Sequence, residues 1–121
     1  MTLLNTLNNA QEQSQDKWNT VCLLDDIAPD TGVCALYQGE QVALFRIGDS
    51  DQVFAISNYD PLGEANVLSR GIVGSVGERL VVASPLYKQH YDLATGECLE
   101  DSDLLLKTYR VRVVEQQVLL G

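Results

Sequence analysis

The chain has 121 residues, 45% apolar and 21% charged, which fits one globular domain with one hydrophobic core and excludes wholesale disorder. Seventeen acidic residues against eight basic ones give a net charge of −9, so nucleic acid and anionic membranes are poor partners. No run of about 18 apolar residues and no secretory signal occur, so we expect a cytoplasmic protein with no membrane contact.

Residues 1–16 are rich in Asn and Gln and predict a flexible N-terminal arm, with a short helix as the alternative. From residue 17 onward, short apolar runs alternate with clusters of Gly, Asp, Asn and Pro, which is typical of an all-β domain. The pattern predicts strands over residues 18–24, 33–37, 41–47 and 53–57. It also predicts a turn or short helical turn at 25–29 and a hairpin turn at 38–40.

The second half of the chain begins with an irregular region. Residues 58–75 contain one Pro and three Gly and predict a long structured loop with one brief extended piece. A strand over 79–83, a loop over 84–90 and a short extended piece at 91–93 follow, before a turn at 94–96. Residues 109–113 alternate strictly between apolar and basic, which predicts a strand with one buried face and one exposed face. A turn at 115–117 and a strand over 118–120 complete this last hairpin.

Residues that could carry chemistry are few. Cys22, Cys34 and Cys98 are widely spaced, so the pattern favours neither a disulfide framework nor a zinc site, and we expect Cys22 and Cys34 to be buried in strands. The chain has no P-loop, dinucleotide fingerprint or nucleophile elbow, and His90 is the single histidine. The sequence therefore predicts no catalytic residue and no metal site of thiolate and imidazole ligands.

Two loops carry a recognisable pattern. The first reads N-Y-D-P-L over residues 58–62, and the second reads S-P-L-Y-K over 84–88, followed by Y-D-L-A-T-G over 91–96. In outline they resemble the cluster-binding loops of Rieske domains, which read C-P-x-H or C-x-H and then C-P-x-H-G. The resemblance implies an antiparallel β-sandwich of small sheets over residues 17–121. It also implies a subdomain like the cluster-binding one at about residues 57–98.

The cluster ligands themselves are replaced. On the family pattern the two ligand positions of the first loop hold Asp60 and Leu62, and those of the second hold Ser84 and Tyr87. A Rieske cluster is held by two Cys and two His, and none of the four is present. The resemblance therefore implies no [2Fe–2S] cluster and no metal on this chain. One interpretation of Leu62 and Tyr87 is that they fill the volume that a cluster would occupy.

A narrower resemblance rests on the strings L-S-R-G-I-V-G over residues 68–74 and S-P-L-x-K-Q over 84–89. Over residues 18–121 the chain is similar to the small subunit of assimilatory NAD(P)H-dependent nitrite reductase. This implies a subunit without a catalytic site of its own. The resemblance also implies a partner, a large subunit that carries FAD, siroheme and an iron–sulfur cluster and reduces nitrite to ammonium. We expect the two loops to form the docking surface, with five contact residues: Tyr59, Arg70, Tyr87, Lys88 and His90.

Other interpretations stay open. The chain could be a Rieske-type electron carrier with atypical ligands, or a free-standing β-sandwich that binds other proteins. Arg70 could pair with Glu64 as an ordinary surface residue. The net charge of −9 indicates either solubility alone or complementarity to a basic face of a protein partner.

Overall fold

A computed structural model describes residues 17–121, and the arm predicted over residues 1–16 lies outside them. The described part is built of strands and two single 3-10 turns, η1 and η2, so the all-β prediction is confirmed. No helix within residues 17–121 is long and apolar enough to cross a membrane. The elements in chain order are β1 (Asn19–Leu23), η1 (Leu24–Asp26), β2 (Gly32–Tyr37), β3 (Glu40–Arg46), β4 (Val53–Ser57), β5 (Tyr59–Asp60), β6 (Ala65–Asn66), η2 (Leu68–Arg70), β7 (Ile72–Val76), β8 (Arg79–Ala83), β9 (His90–Asp92), β10 (Thr108–Tyr109), β11 (Val111–Val114) and β12 (Gln117–Leu120).

The strands form three sheets and one small hairpin. The strand order is β1-β12-β11 in the first sheet, β10-β4-β3-β2 in the second and β7-β8-β9 in the third, while β5 pairs with β6 alone. The pairings are antiparallel throughout. As a consequence, β2 and β10 are the edges of the second sheet, and β1 is an edge of the first.

The strand β3 contributes to two hydrophobic cores because successive side chains point to opposite faces of a sheet. Phe45 belongs to a core that includes Leu68 of η2 and Tyr91 of β9. Leu44, one position earlier, belongs to the other core together with Val118 of β12. The first core thus supports the segment that contains both loops.

The prediction for residues 58–75 was wrong in detail. This region contains two short strands, β5 and β6, the turn η2 and the five-residue strand β7, rather than a loop with one extended piece. β7 is the edge strand of its sheet, and Ile72 is 77% exposed. An edge strand with exposed apolar residues and Gly74 at its centre lacks the alternation of buried and polar residues on which the prediction depends.

The prediction for the last hairpin was partly right. Arg110 and Arg112 are exposed between half-buried neighbours, as the alternation predicted. However, β10 pairs with β4 and β11 pairs with β12, so the predicted single strand is divided between two sheets.

Cys22 is half-buried but Cys34 is exposed, so the prediction for Cys34 was wrong. Cys34 lies on the outward face of the edge strand β2, whose other face packs on the core.

Candidate functional site

The fold brings together the two loops singled out in the sequence, residues 58–70 and 84–90, which we call the loop tip. Asp60 of β5 and Ser84, directly after β8, are both buried. Ser84 Oγ donates a hydrogen bond of 2.5 Å to Asp60 Oδ2. Two positions that resemble ligand positions of different loops are thus joined directly.

The Asp60 carboxylate is the centre of a buried polar network. Its Oδ1 accepts hydrogen bonds from the backbone N–H of Leu62 at 2.9 Å and of Gly63 at 3.2 Å. Gln89 Nε2 donates to the same oxygen at 2.8 Å. Burial acts to raise the pKa of Asp60, but the hydrogen bonds from Ser84, Gly63, Leu62 and Gln89 outweigh it and hold the pKa below its ordinary value. Asp60 is therefore an anion at neutral pH.

Tyr91 completes the network on the side that faces the first core. Gln89 Nε2 also donates to the Tyr91 hydroxyl oxygen at 2.9 Å, and that hydroxyl lies 3.4 Å from Asp60 Oδ1. Burial, reinforced by the charge of Asp60, raises the pKa of Tyr91 to about 12, so its hydroxyl stays protonated. The first core and the loop tip are in this way connected through one aromatic side chain.

The second loop is held closed by its own backbone. The N–H of Ser84 donates to the carbonyl of Gln89 at 2.9 Å, and the N–H of Lys88 donates to the carbonyl of Ser84 at 3.0 Å. Ser84 Oγ accepts from the N–H of Leu86 at 3.2 Å while it donates to Asp60. Ser84 therefore shapes its own loop and connects it to the other.

Asn58 anchors the first loop, a role that the sequence analysis missed. Its backbone N–H donates to the carbonyl of Gln41 at 3.1 Å, and its carbonyl accepts from Leu68 at 3.1 Å. Its side chain accepts from the N–H of Ser69 at 2.7 Å and donates to Gln41 Oε1 at 3.0 Å. An Asn immediately after a predicted strand was the available signal, but its side-chain partners Ser69 and Gln41 lie 11 and 17 residues away.

The other two ligand-like positions face outward. Leu62 is 49% exposed and Tyr87 is 65% exposed, and their neighbour Leu86 is 45% exposed. The interpretation that Leu62 and Tyr87 fill a vacated volume is therefore wrong. The buried network of Asp60, Ser84 and Gln89 connects the loops instead, and these apolar side chains form a surface.

The five expected contact residues divide into two groups. Tyr59, Arg70, Tyr87 and Lys88 are exposed. His90 is half-buried, and its Nδ1 lies 2.6 Å from Glu100 Oε2. Within residues 17–121 Arg70 forms no ion pair, so the alternative that it pairs with Glu64 is not supported.

The loop tip does not fit a [2Fe–2S] cluster. Such a cluster in a Rieske domain takes two thiolates and two imidazoles, whereas the corresponding positions carry a carboxylate, an isobutyl group, a hydroxyl and a phenol. The carboxylate and the hydroxyl are already hydrogen-bonded to each other. No group of three or more His, Cys, Asp or Glu residues in the described part of the chain could hold a metal ion.

Comparisons with known proteins agree with this architecture. Residues 17–121 match the family described as the Rieske-like [2Fe-2S] domain. The chain is 54% identical over 104 residues to the nitrite reductase (NADH) small subunit of Salmonella typhimurium, a match that covers 86% of this chain and 96% of that relative. The NMR structure of the E. coli protein NirD is 52% identical with a TM-score of 0.80, covering 86% of this chain and 94% of that one. A nitrite reductase [NAD(P)H] large subunit of Klebsiella oxytoca is 40% identical over 104 residues, which are 86% of this chain but 11% of that protein.

Proposed function

This chain belongs to the family of nitrite reductase (NADH) small subunits, within the Rieske-like domains, and we propose that it is the docking subunit of a cytoplasmic nitrite reductase. The observation that carries the proposal is the 54% identity to the Salmonella small subunit over 96% of that protein's length. The Klebsiella relative adds support, because there a stretch similar to this chain forms part of a large-subunit polypeptide. A domain that is fused to a large subunit in one organism is expected to associate with it as a separate chain in another.

In this proposal the chemistry belongs to the large subunit. That partner carries FAD, siroheme and an iron–sulfur cluster and reduces nitrite to ammonium, while this chain holds no cofactor and no catalytic residue. The side chains at Asp60, Leu62, Ser84 and Tyr87 support the absence of a cluster here, since none is a thiolate or an imidazole.

The loop tip is the docking surface in this proposal, within the subdomain at residues 57–98. The exposed apolar side chains of Leu62, Leu86 and Tyr87 supply contact area. The exposed cations Arg70 and Lys88 supply charge. Because the Asp60 network fixes both loops without a metal, the surface is ordered before binding, which lowers the entropic cost of association. His90 contributes less than the other residues because Glu100 already holds it.

Co-expression with the tagged large subunit tests the docking function. We expect the wild-type chain to co-purify with the siroheme flavoprotein, and Lys88→Glu or Arg70→Glu to reduce the amount retained. Arg112→Glu is the matched control because it makes the same change of charge at an exposed position outside the loop tip. Equal retention of all three variants would refute docking through the tip, and no retention of the wild type would favour a free-standing interaction module.

Iron analysis and visible absorption of anaerobically purified protein test the absence of a cluster. We expect no iron above background and no brown colour. Stoichiometric iron with an absorption band in the visible region would instead identify an electron carrier with atypical ligands.

A further inference from the structure

A groove of about 640 Å³ lies where three sheet edges come together. One side is formed by Thr20 and Val21 of β1, the edge of the first sheet. The other sides are formed by the end of β2 and by β10, the two edges of the second sheet, which approach each other through Tyr37 and Tyr109. These two rings pack edge to face with centroids 6.1 Å apart. Sheet edges expose unpaired backbone N–H and C=O groups, which are suited to an extended peptide.

The groove is cationic although the chain as a whole is acidic. Three of the eight basic residues, Lys17, Lys107 and Arg110, line it, and no acidic side chain does. Lys107 is neutralised by Glu40, whose Oε1 lies 3.0 Å from its Nζ. Within residues 17–121, neither Lys17 nor Arg110 forms an ion pair. Among the described residues, two positive charges of the groove therefore have no ion-pair partner, although the protein as a whole has a net charge of −9.

Two side chains of the groove, those of Arg110 and Tyr109, are held in place by their contacts. The guanidinium carbon of Arg110 lies 4.9 Å from the centroid of the Trp18 ring, a cation–π arrangement that limits its freedom. The Tyr109 hydroxyl donates a hydrogen bond of 2.7 Å to Glu40 Oε1, which fixes the position of the Tyr109 ring in the lining of the groove. Leu36 on the wall is 73% exposed and offers an apolar contact beside the cations.

The groove continues toward the loop tip. A second concavity, of about 440 Å³, shares Lys107 and Tyr109 with it. Its lining also contains Tyr59 and Asn66 of the first loop, and Glu40, whose charge is paired with that of Lys107. A single extended segment that follows the two concavities would thus pass from Arg110 to the loop tip.

We propose that an extended acidic segment of the large subunit binds in this groove, so that the docking interface continues from the loop tip past Tyr59 to Arg110. This inference rests on the proposed function, because it assumes that the large subunit is the partner. The positive charges of Lys17 and Arg110 favour an acidic segment, and the edges of β1, β2 and β10 favour an extended one. A second copy of this chain is disfavoured as the occupant by mutual repulsion between molecules of net charge −9.

Arg110 and Arg112 provide a matched pair for the first test. Both stack on the Trp18 ring, with guanidinium carbons 4.9 and 5.4 Å from its centroid, but only Arg110 lines the groove. We expect Arg110→Glu to weaken binding to the purified large subunit about fivefold or more, measured as Kd, and Arg112→Glu to change it less than twofold, since a groove contact is local. The loss caused by Arg110→Glu should shrink as salt is raised. Equal effects of the two variants would overturn the groove as a contact site.

Photo-crosslinking separates failure of this inference from failure of the proposed function. A p-benzoylphenylalanine residue is placed at Leu36 in the groove, at Tyr87 in the loop tip and at Leu105, which is 68% exposed and outside both, as the control. We expect crosslinks from Leu36 to a large-subunit segment rich in Asp and Glu. If Tyr87 crosslinks to the large subunit and Leu36 does not, the groove proposal is overturned while the proposed function stands. Crosslinks from Leu36 to a segment without acidic residues, or to a second copy, also overturn it. If the subunits fail to form a complex, both proposals fall.

Discussion

Ser84 Oγ and Asp60 Oδ2 lie 2.5 Å apart although their residues are 24 positions apart in the chain. Both belong to positions that resemble the cysteine ligands of a Rieske domain. In a Rieske centre the two histidines bind one iron and the cysteines bind the other. In this chain a hydrogen bond connects the two loops where a shared metal connects them in the cluster-binding domains. The geometry of the loop tip is thereby held by polar contacts between the loops, together with the packing of Leu68 and Tyr91 in the first core.

Ser84→Ala should destabilise the folded protein by about 2 kcal/mol, because the Asp60 carboxylate loses a hydrogen bond from a neutral donor inside the protein. The N–H of Leu86 loses its acceptor in the same change. Urea unfolding followed by circular dichroism measures the effect. Ser75→Ala on the exposed strand β7 is the control and should change stability by less than about 0.5 kcal/mol. Equal stability of the two variants would show that the hydrogen bond contributes nothing.

Asp60→Asn should change how stability depends on pH. The pKa of Asp60 is lowered by folding from its ordinary value of 3.8, so its stabilising contribution is present above pH 3.8 and is lost as the pH falls through the folded-state pKa. The wild type should therefore be the more stable protein at pH 7, and its advantage over the variant should decrease below pH 3.8.

The measurement is the free energy of unfolding of the wild type and of Asp60→Asn between pH 3 and pH 7. The value for the variant is subtracted from that for the wild type at each pH, so that the contributions of the other titrating groups cancel. Asp103→Asn removes one negative charge at an exposed position and serves as the control. A wild-type advantage that stays constant over this range, or grows on acidification, would contradict the assignment of Asp60 as a buried anion.

Much of the fold could be predicted from local patterns. β4 and β8 begin and end where the sequence predicted, at 53–57 and 79–83, because each is a short apolar run between polar turns. β5 and β6 could not be predicted, since a strand of two residues is too short to show an alternation of apolar and polar residues. The local rules are thus sufficient for the scaffold but not for the short elements that shape the loop tip.

The candidate site was predictable only as a pair of loops. The sequence placed Asp60 and Ser84 at related positions, but it did not indicate that they would bond to each other. Gln89 reaches Asp60 across 29 residues and Tyr91 across 31, so these contacts result from the packing of β9 against the first core. The sequence left Tyr87 open between an exposed docking contact and a residue that fills the volume of a cluster, because an aromatic residue in a loop gives no local signal of burial or exposure.

Tyr87→Ala separates a docking role from a structural one. Because Tyr87 is 65% exposed, we expect its loss to change the free energy of unfolding by less than about 0.5 kcal/mol. If it is an interface hot spot, the change should weaken binding to the large subunit by about 30-fold, corresponding to about 2 kcal/mol. Leu105→Ala, at a residue 68% exposed and outside the loop tip, is the control for both measurements. A stability loss of several kcal/mol with unchanged affinity would show that Tyr87 is part of the core.

Gly96→Ala should be among the most destabilising single changes in the turn that follows the second loop. Gly96 has φ +83°, and a Cβ added to it would clash with the carbonyl oxygen of Leu106, a backbone atom that cannot move aside as a side chain can. The N–H of Leu106 also donates to the carbonyl of Gly96 at 2.8 Å, so a shift of either segment costs a hydrogen bond. Gly77→Ala is the matched control, because Gly77 has φ +62° with no atom within 4 Å of the added Cβ.

Both variants place a Cβ on a residue with positive φ, where the resulting steric strain costs about 1 kcal/mol. Only Gly96→Ala adds the steric conflict, for which we expect a further loss of about 2 kcal/mol or more. Thermal and urea unfolding of the two variants measure the difference. If Gly96→Ala and Gly77→Ala are equally stable, the close approach of the turn to Leu106 does not restrict this position.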